Sequence, residues 1–204
     1  MGFPFLTIFL IFLIWLALRY HKLNRIQEEK ETSFWEREML ANTTPAKDIS
    51  NLSYITIPID KFPLNFSSNP EVLEIENNLV ELSTHKLLNL TGKTNTELKE
   101  TYGVPNFETM SKIGEDFDTM TTLLNKYALA LIEEEKIDDA INVLEFAVGV
   151  GTDVSQSYNL LADCYSKKDN KNKLDYLITN VENSNLVLKD SVLNHIRPLK
   201  ASGD

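Results

Sequence analysis

Gly92-Lys93-Thr94 ends as a phosphate-binding loop ends, with a lysine and a hydroxyl behind a glycine. That loop needs another glycine five residues ahead of the first, so that backbone N–H groups can wrap the phosphates, and position 87 is Leu87. The stretch therefore reads as a turn. His21, His85 and His195 stand singly, with no carboxylate or cysteine at ligand spacing, so no metal site is expected. Cys164 falls on the inward face of a helix and reads as a small core residue. The acidic runs Glu115, Asp116, Asp118 and Glu133 to Glu135 read as solvated helix ends. With no Ser/His/Asp or Cys/His set, neither catalysis nor a cofactor is expected, and the chemistry left to this chain is binding.

Charge narrows what it could bind. Residues 1–47 hold six Lys/Arg and five Asp/Glu, whereas residues 48–204 hold fourteen against twenty-five, a net of −11. Such a surface repels phosphate backbones, so no nucleic acid is expected as a partner, and it repels an anionic lipid leaflet as well.

The elements that position this surface begin with GFPFLTIFLIFLIWLAL. Residues 2–18 carry no charge, and as helix they cover about 25 Å, close to the hydrocarbon thickness of a bilayer. Trp15 and Tyr20 sit where amphipathic rings favour headgroups, and Arg19, Lys22 and Arg25 follow with no acid before Glu28. A cleaved signal would need basic residues before the run and a small-x-small site after it; a lipoprotein signal would need a cysteine at its end. Residues 1–20 are therefore expected to be a single-pass anchor in the cell membrane, touching lipid through residues 2–18. The basic flank puts the N-terminus outside and the C-terminal domain in the cytoplasm.

RYHKLNRIQEEKETSFWEREML continues without Gly or Pro and with dense mixed charge, so residues 21–40 are expected to be a stalk helix. Self-association through the stalk is an option, although Leu23, Ile26 and Leu40 do not keep heptad spacing. Four prolines then break residues 41–70 into extended chain. Within it, Tyr54, Ile55, Ile57 and Ile59 mark a strap whose isoleucines alternate toward one side, as a strand laid over helices would place them.

After Pro70 the pattern is helical. Residues 71–121 are expected to form N-terminal capping helices, the first burying Val72, Ile75, Leu79 and Leu82. Thr96 is expected to cap a short helix stopped by Gly103, and Asn106 to cap a long one with a break near Gly114. The chain then matches itself at an offset of 34: Leu124 with Tyr158, Tyr127 with Leu161, Ala128 with Ala162, Leu131 with Tyr165, Ala140 with Leu174, Leu144 with Ile178, Ala147 with Val181. Turns are expected at Glu135-Lys136 and Asp169-Asn170. Residues 122–185 thus form two units, and residues 186–204 a C-terminal capping helix and tail.

These two units resemble the tetratricopeptide repeat, a 34-residue helix-turn-helix with small and bulky residues at these steps. The family's turn glycine and closing proline are absent, and its small residue at the start of helix B survives as Ala140 but becomes Leu174. The resemblance implies an all-α fold: an N-terminal transmembrane and stalk helix, an extended strap, then a helical-hairpin repeat domain. It also implies a groove that binds a peptide or protein partner, lined by Thr122, Asn125, Leu129, Ile132 and Glu133 and then Gln156, Asn159, Asp163 and Ser166. The basic clamp of relatives that grip a terminal carboxylate is not matched, because Asn125 and Leu129 stand at its first two positions. An uncharged or basic segment is the expected ligand. The alternative is a structural or regulatory subunit whose groove is filled in cis by residues 50–60. With its FWERE stalk end and YITIP strap, the whole chain also resembles a group of small bacterial single-pass membrane proteins.

Overall fold

The computed structural model describes the backbone of residues 4–201 and the side chains of residues 8–25, 27–28 and 30–200. Among these the chain is all-α, with no strand beyond a single antiparallel bridge between Ile55 and Leu87. It divides into two compact units: residues 1–49 with 94–107, and residues 50–93 with 108–204. The segment 41–70, expected to act as one strap, is therefore shared between them.

The first unit is built on α1 (Pro4–Ala41) and α3 (Asn95–Tyr102). Nothing after Pro4 breaks α1, because the sequence to Ala41 contains no further Gly or Pro. Thr94, two residues ahead of the expected cap, starts α3 through a reciprocal capping box with Glu97. Thr96 instead turns inward and donates to Glu38 Oε2 at 2.5 Å. Gly103 ends the helix at φ +88°, where an added Cβ would lie 2.1 Å from the carbonyl oxygen of Pro45, so glycine is required on both counts. Asn106 does not cap the next helix through its oxygen as expected; its amide nitrogen donates to the carbonyls of Lys47 and Tyr102.

Among the described residues no helix is long and apolar enough to cross a membrane. The expected anchor begins at Gly2, outside the described residues. From Ile8 to the first charge at Arg19 only eleven apolar positions remain, about 16 Å of helix against about 30 Å of hydrocarbon.

The second unit contains α2 (Pro70–Leu82), α4 (Phe107–Glu133) from its second residue onward, α5 (Ile137–Gly149), α6 (Ser155–Lys167), α7 (Lys171–Asn183) and α8 (Lys189–Ala201). Asn69 caps α2 by accepting from the Glu71 N–H, and Pro70 supplies the helical φ of its first turn. The break expected near Gly114 is absent: α4 is continuous there, and an added Cβ would meet Leu90 at 3.5 Å, ordinary contact. Helix bounds recur every 34 residues, with α5 and α7 offset by that amount and α6 and α8 likewise, while α4 ends 34 before α6. The turns recur too. Glu135 (φ 58°) and Asp169 (φ 51°) take the left-handed conformation, and the following N–H groups reach back to Leu131 and Tyr165 at 2.8 and 2.9 Å. Helix α6 packs on α5, α7 and α8, and α7 packs on α8.

The core of this unit follows the spacing. Leu124, Tyr127, Ala128 and Leu131 are fully buried, as are Ala140, Leu144 and Ala147, and their counterparts 34 residues on are buried apart from the half-buried Ile178. Fully buried Ala128 and Ala162 leave room for close helix approach and none for a larger side chain.

Candidate functional site

The nine groove residues do not share one open surface. Thr122, Glu133 and Gln156 are exposed, Ile132 and Ser166 are half-buried, and Leu129 is 36% exposed. Asn125 is only 7% exposed and donates from Nδ2 to Ser157 Oγ at 3.0 Å, so it ties α4 to α6 and faces no ligand. Asn159 is half-buried, and its Oδ1 is buried with no hydrogen-bond partner in the structure. Asp163 Oδ1 lies 2.9 Å from His195 Nε2, which closes that position against α8. The reason is geometric: a polar residue one turn from an alanine at a close helix contact is drawn into the contact, where hydrogen bonding must satisfy it.

The strap residues lie on the core. Ile57 is buried, and Ile55 and Ile59 are half-buried against it. Each fully buried isoleucine contributes about 1.5–3 kcal/mol. The Ile55 N–H donates to the Leu87 carbonyl at 2.8 Å, and Tyr54 lies under the Lys86 ammonium, 5.0 Å from ring centre to Nζ. Downstream, Phe62 and Phe66 pack on Tyr127 at 6.3 and 5.6 Å, and Phe62 also meets Phe146 at 6.1 Å. A buried carboxylate fastens this end. Glu76 Oε2 accepts from the Asn65 N–H at 2.8 Å, and its Oε1 lies 3.2 Å from the Tyr127 hydroxyl. Burial, and then the charge of Glu76, push the Tyr127 hydroxyl well above its ordinary range. Nothing in the sequence pattern marks Glu76, because its partners stand 11 and 51 residues away.

Two of the expected groove residues reach a true cleft. Leu129 and Glu133 line an open cavity of about 510 Å³ between α2 and α4, a volume ordinary for ligand clefts. Its apolar floor is Val72 and Ile75 from α2 with Leu123, Leu129 and Ala130 from α4. Its charged lining is Glu71, Glu74, Glu133 and Glu134, with Lys126 the single cation. The sequence gave a signal for half of it: the period-3.6 face of α2 included Ile75, which is left half-buried where Val72, Leu79 and Leu82 are covered.

The remaining ionisable groups are engaged structurally. Asp116 is buried between His85 Nδ1 at 3.0 Å and Lys112 Nζ at 2.7 Å; burial raises its carboxyl, but the two hydrogen bonds outweigh it and hold the group below its ordinary range. Cys164 is buried, and burial pushes its thiol up, away from reactivity. Among the described residues no group of three His, Cys, Asp or Glu side chains could hold a metal ion. No family model matches the chain, nor does any curated protein or solved structure.

Proposed function

We propose that this chain is a membrane-tethered interaction module: a tetratricopeptide-like helical stack that holds a protein or peptide partner and performs no chemistry of its own. The observation that carries the reading is the 34-residue recurrence of helix bounds and left-handed turn residues from α4 through α8. It extends the expected two units by one further helix, since α8 stands at the place of a third helix A. Stacked hairpins of this length are binding scaffolds, because each leaves a helix face for a ligand while burying the other.

The tether rests on the uncharged run at residues 2–18 and on α1 itself, whose large apolar side chains from Ile8 to Leu16 and at Leu18 are all exposed and need lipid to cover them. The basic flank argues for a cytoplasmic domain. Because Cys164 is buried, it would resist a thiol reagent on either side of the membrane. A Glu108→Cys variant in a Cys164→Ser background, probed with a membrane-impermeant maleimide, should label after lysis and not in intact cells. Labelling in intact cells would put the domain outside.

The module reading is tested by pulldown of the full chain from detergent extracts against an α1-only control. Recovery of nothing beyond the control would end it.

A further inference from the structure

We infer that the α2/α4 cleft is the working surface of this module, and that its ligand is a basic amphipathic helix of a partner protein. The inference rests on the interaction-module reading and adds to it the place and the chemistry of binding. Three properties of the cleft select that ligand.

The first is its floor. Val72 and Ile75 stand one turn apart on α2, and Leu123 and Ala130 two turns apart on α4. This periodic apolar strip matches side chains projecting at i, i+4 and i+7 from a third helix.

The second is its walls. Both are helices, whose interior N–H and C=O groups are already paired, and at the cleft's end Asn69 Oδ1 is used by the Glu71 N–H. There is no open strand edge, so a ligand in extended conformation would leave its own backbone groups unpaired, whereas a helix satisfies them internally.

The third is its charge. Most acids of the C-terminal helices are neutralised: Asp138 by Lys168, Glu145 by Lys173, Asp175 by Lys200 and Glu182 by Arg197. At the cleft, Glu71, Glu74 and Glu133 have no ion-pair partner among the described residues, and Glu134 meets only the Ser67 hydroxyl, at 3.5 Å. Lys126 has no ion-pair partner either, so the lining carries a net −3 around an apolar strip. Lysines or arginines flanking an apolar stripe complement both features, and an acidic ligand would be repelled.

The test uses the full chain in nanodiscs of zwitterionic lipid, with empty discs subtracted. The probe is a fluorescent synthetic helix of about 18 residues, roughly five turns, with leucines on one stripe and lysines beside it; its twin carries glutamates for lysines. Anisotropy should report binding of the lysine helix alone. Changing Glu71, Glu74, Glu133 and Glu134 together to glutamine should weaken binding about tenfold, as four exposed charge pairs would. Changing the exposed Glu108 and Glu115 to glutamine and Asp153 and Asp169 to asparagine alters net charge equally and should leave affinity nearly unchanged. Leu129→Gln should weaken binding while preserving its salt dependence. No binding of the lysine helix, equal weakening by both charge sets, or indifference to Leu129→Gln would each overturn the assignment. A partner recovered by pulldown whose binding ignores these changes would leave the module standing and end the cleft's role.

Discussion

The two units are held by different forces. In the first, α1 meets α3 through polar groups: Arg37 grips both Glu100 oxygens at 2.6 and 2.7 Å, Glu38 takes Thr96 and Lys99, and Lys99 also reaches Asn42. Its buried apolar residues are few, chiefly Ala41, Leu98 and Tyr102. In the second, one continuous apolar core runs from the strap to α8, and its polar contacts sit at the rim apart from Glu76, Asn125 and Ser157. Exposed ion pairs are weak and screened by salt, whereas close packing is neither. The first unit should therefore answer to pH and ionic strength, and the second to side-chain volume.

The contrast breaks most visibly at Tyr127. Tyr127→Ala removes a fully buried ring on which Phe62 and Phe66 pack, and should cost about 3–5 kcal/mol, as other aromatic-to-alanine changes in cores do. Denaturant unfolding of the full chain in detergent measures it, and limited proteolysis should show new cleavage in residues 58–68. Ala128→Leu comes next, at about 1–3 kcal/mol from overpacking. In both variants α3 should keep its hydrogen-exchange protection.

Acid should reverse the pattern. Hydrogen bonds from Lys99 to Glu38 and from Arg37 to Glu100 lower both carboxyls below their ordinary range. Their contribution is thus complete above the ordinary carboxylate pKa and is lost as pH falls through the lowered values. Amides of α3 should lose exchange protection across that window before those of α5 and α7 do. The smallest expected effect sharpens the repeat itself. Glu135→Gly and Asp169→Gly relieve left-handed residues, which cost about 1–2 kcal/mol, against about 0.5–1 kcal/mol of added chain entropy. Each should raise stability by less than about 1 kcal/mol, read from the denaturation midpoint.

Much of the fold was legible because it rests on local periodicity. The 34-residue offset located the turns at Glu135 and Asp169, and the alternation of Ile55, Ile57 and Ile59 marked the side laid on the core. What escaped depends on partners distant in the chain. Asn125 read as a groove residue because nothing local reveals Ser157 across the helix contact. The cap fell on Thr96 where Thr94 does the work, since either can precede an acid in the first turn and only the pairing with Glu97 decides. The cleft was half visible: α2 declared its apolar face, but which part α4 would leave uncovered is a matter of tertiary placement.

The account's central claim is that a basic partner helix sits between α2 and α4. A photo-crosslinking side chain placed at Leu129 of the full chain in its own membrane, with Tyr176 as the exposed control position, tests that claim most directly. The predicted result is an adduct at position 129 and not at 176, its attached peptide basic and amphipathic by mass spectrometry, abolished when the four cleft glutamates become glutamines. Adducts equal at both positions, or an acidic peptide at position 129, would contradict it.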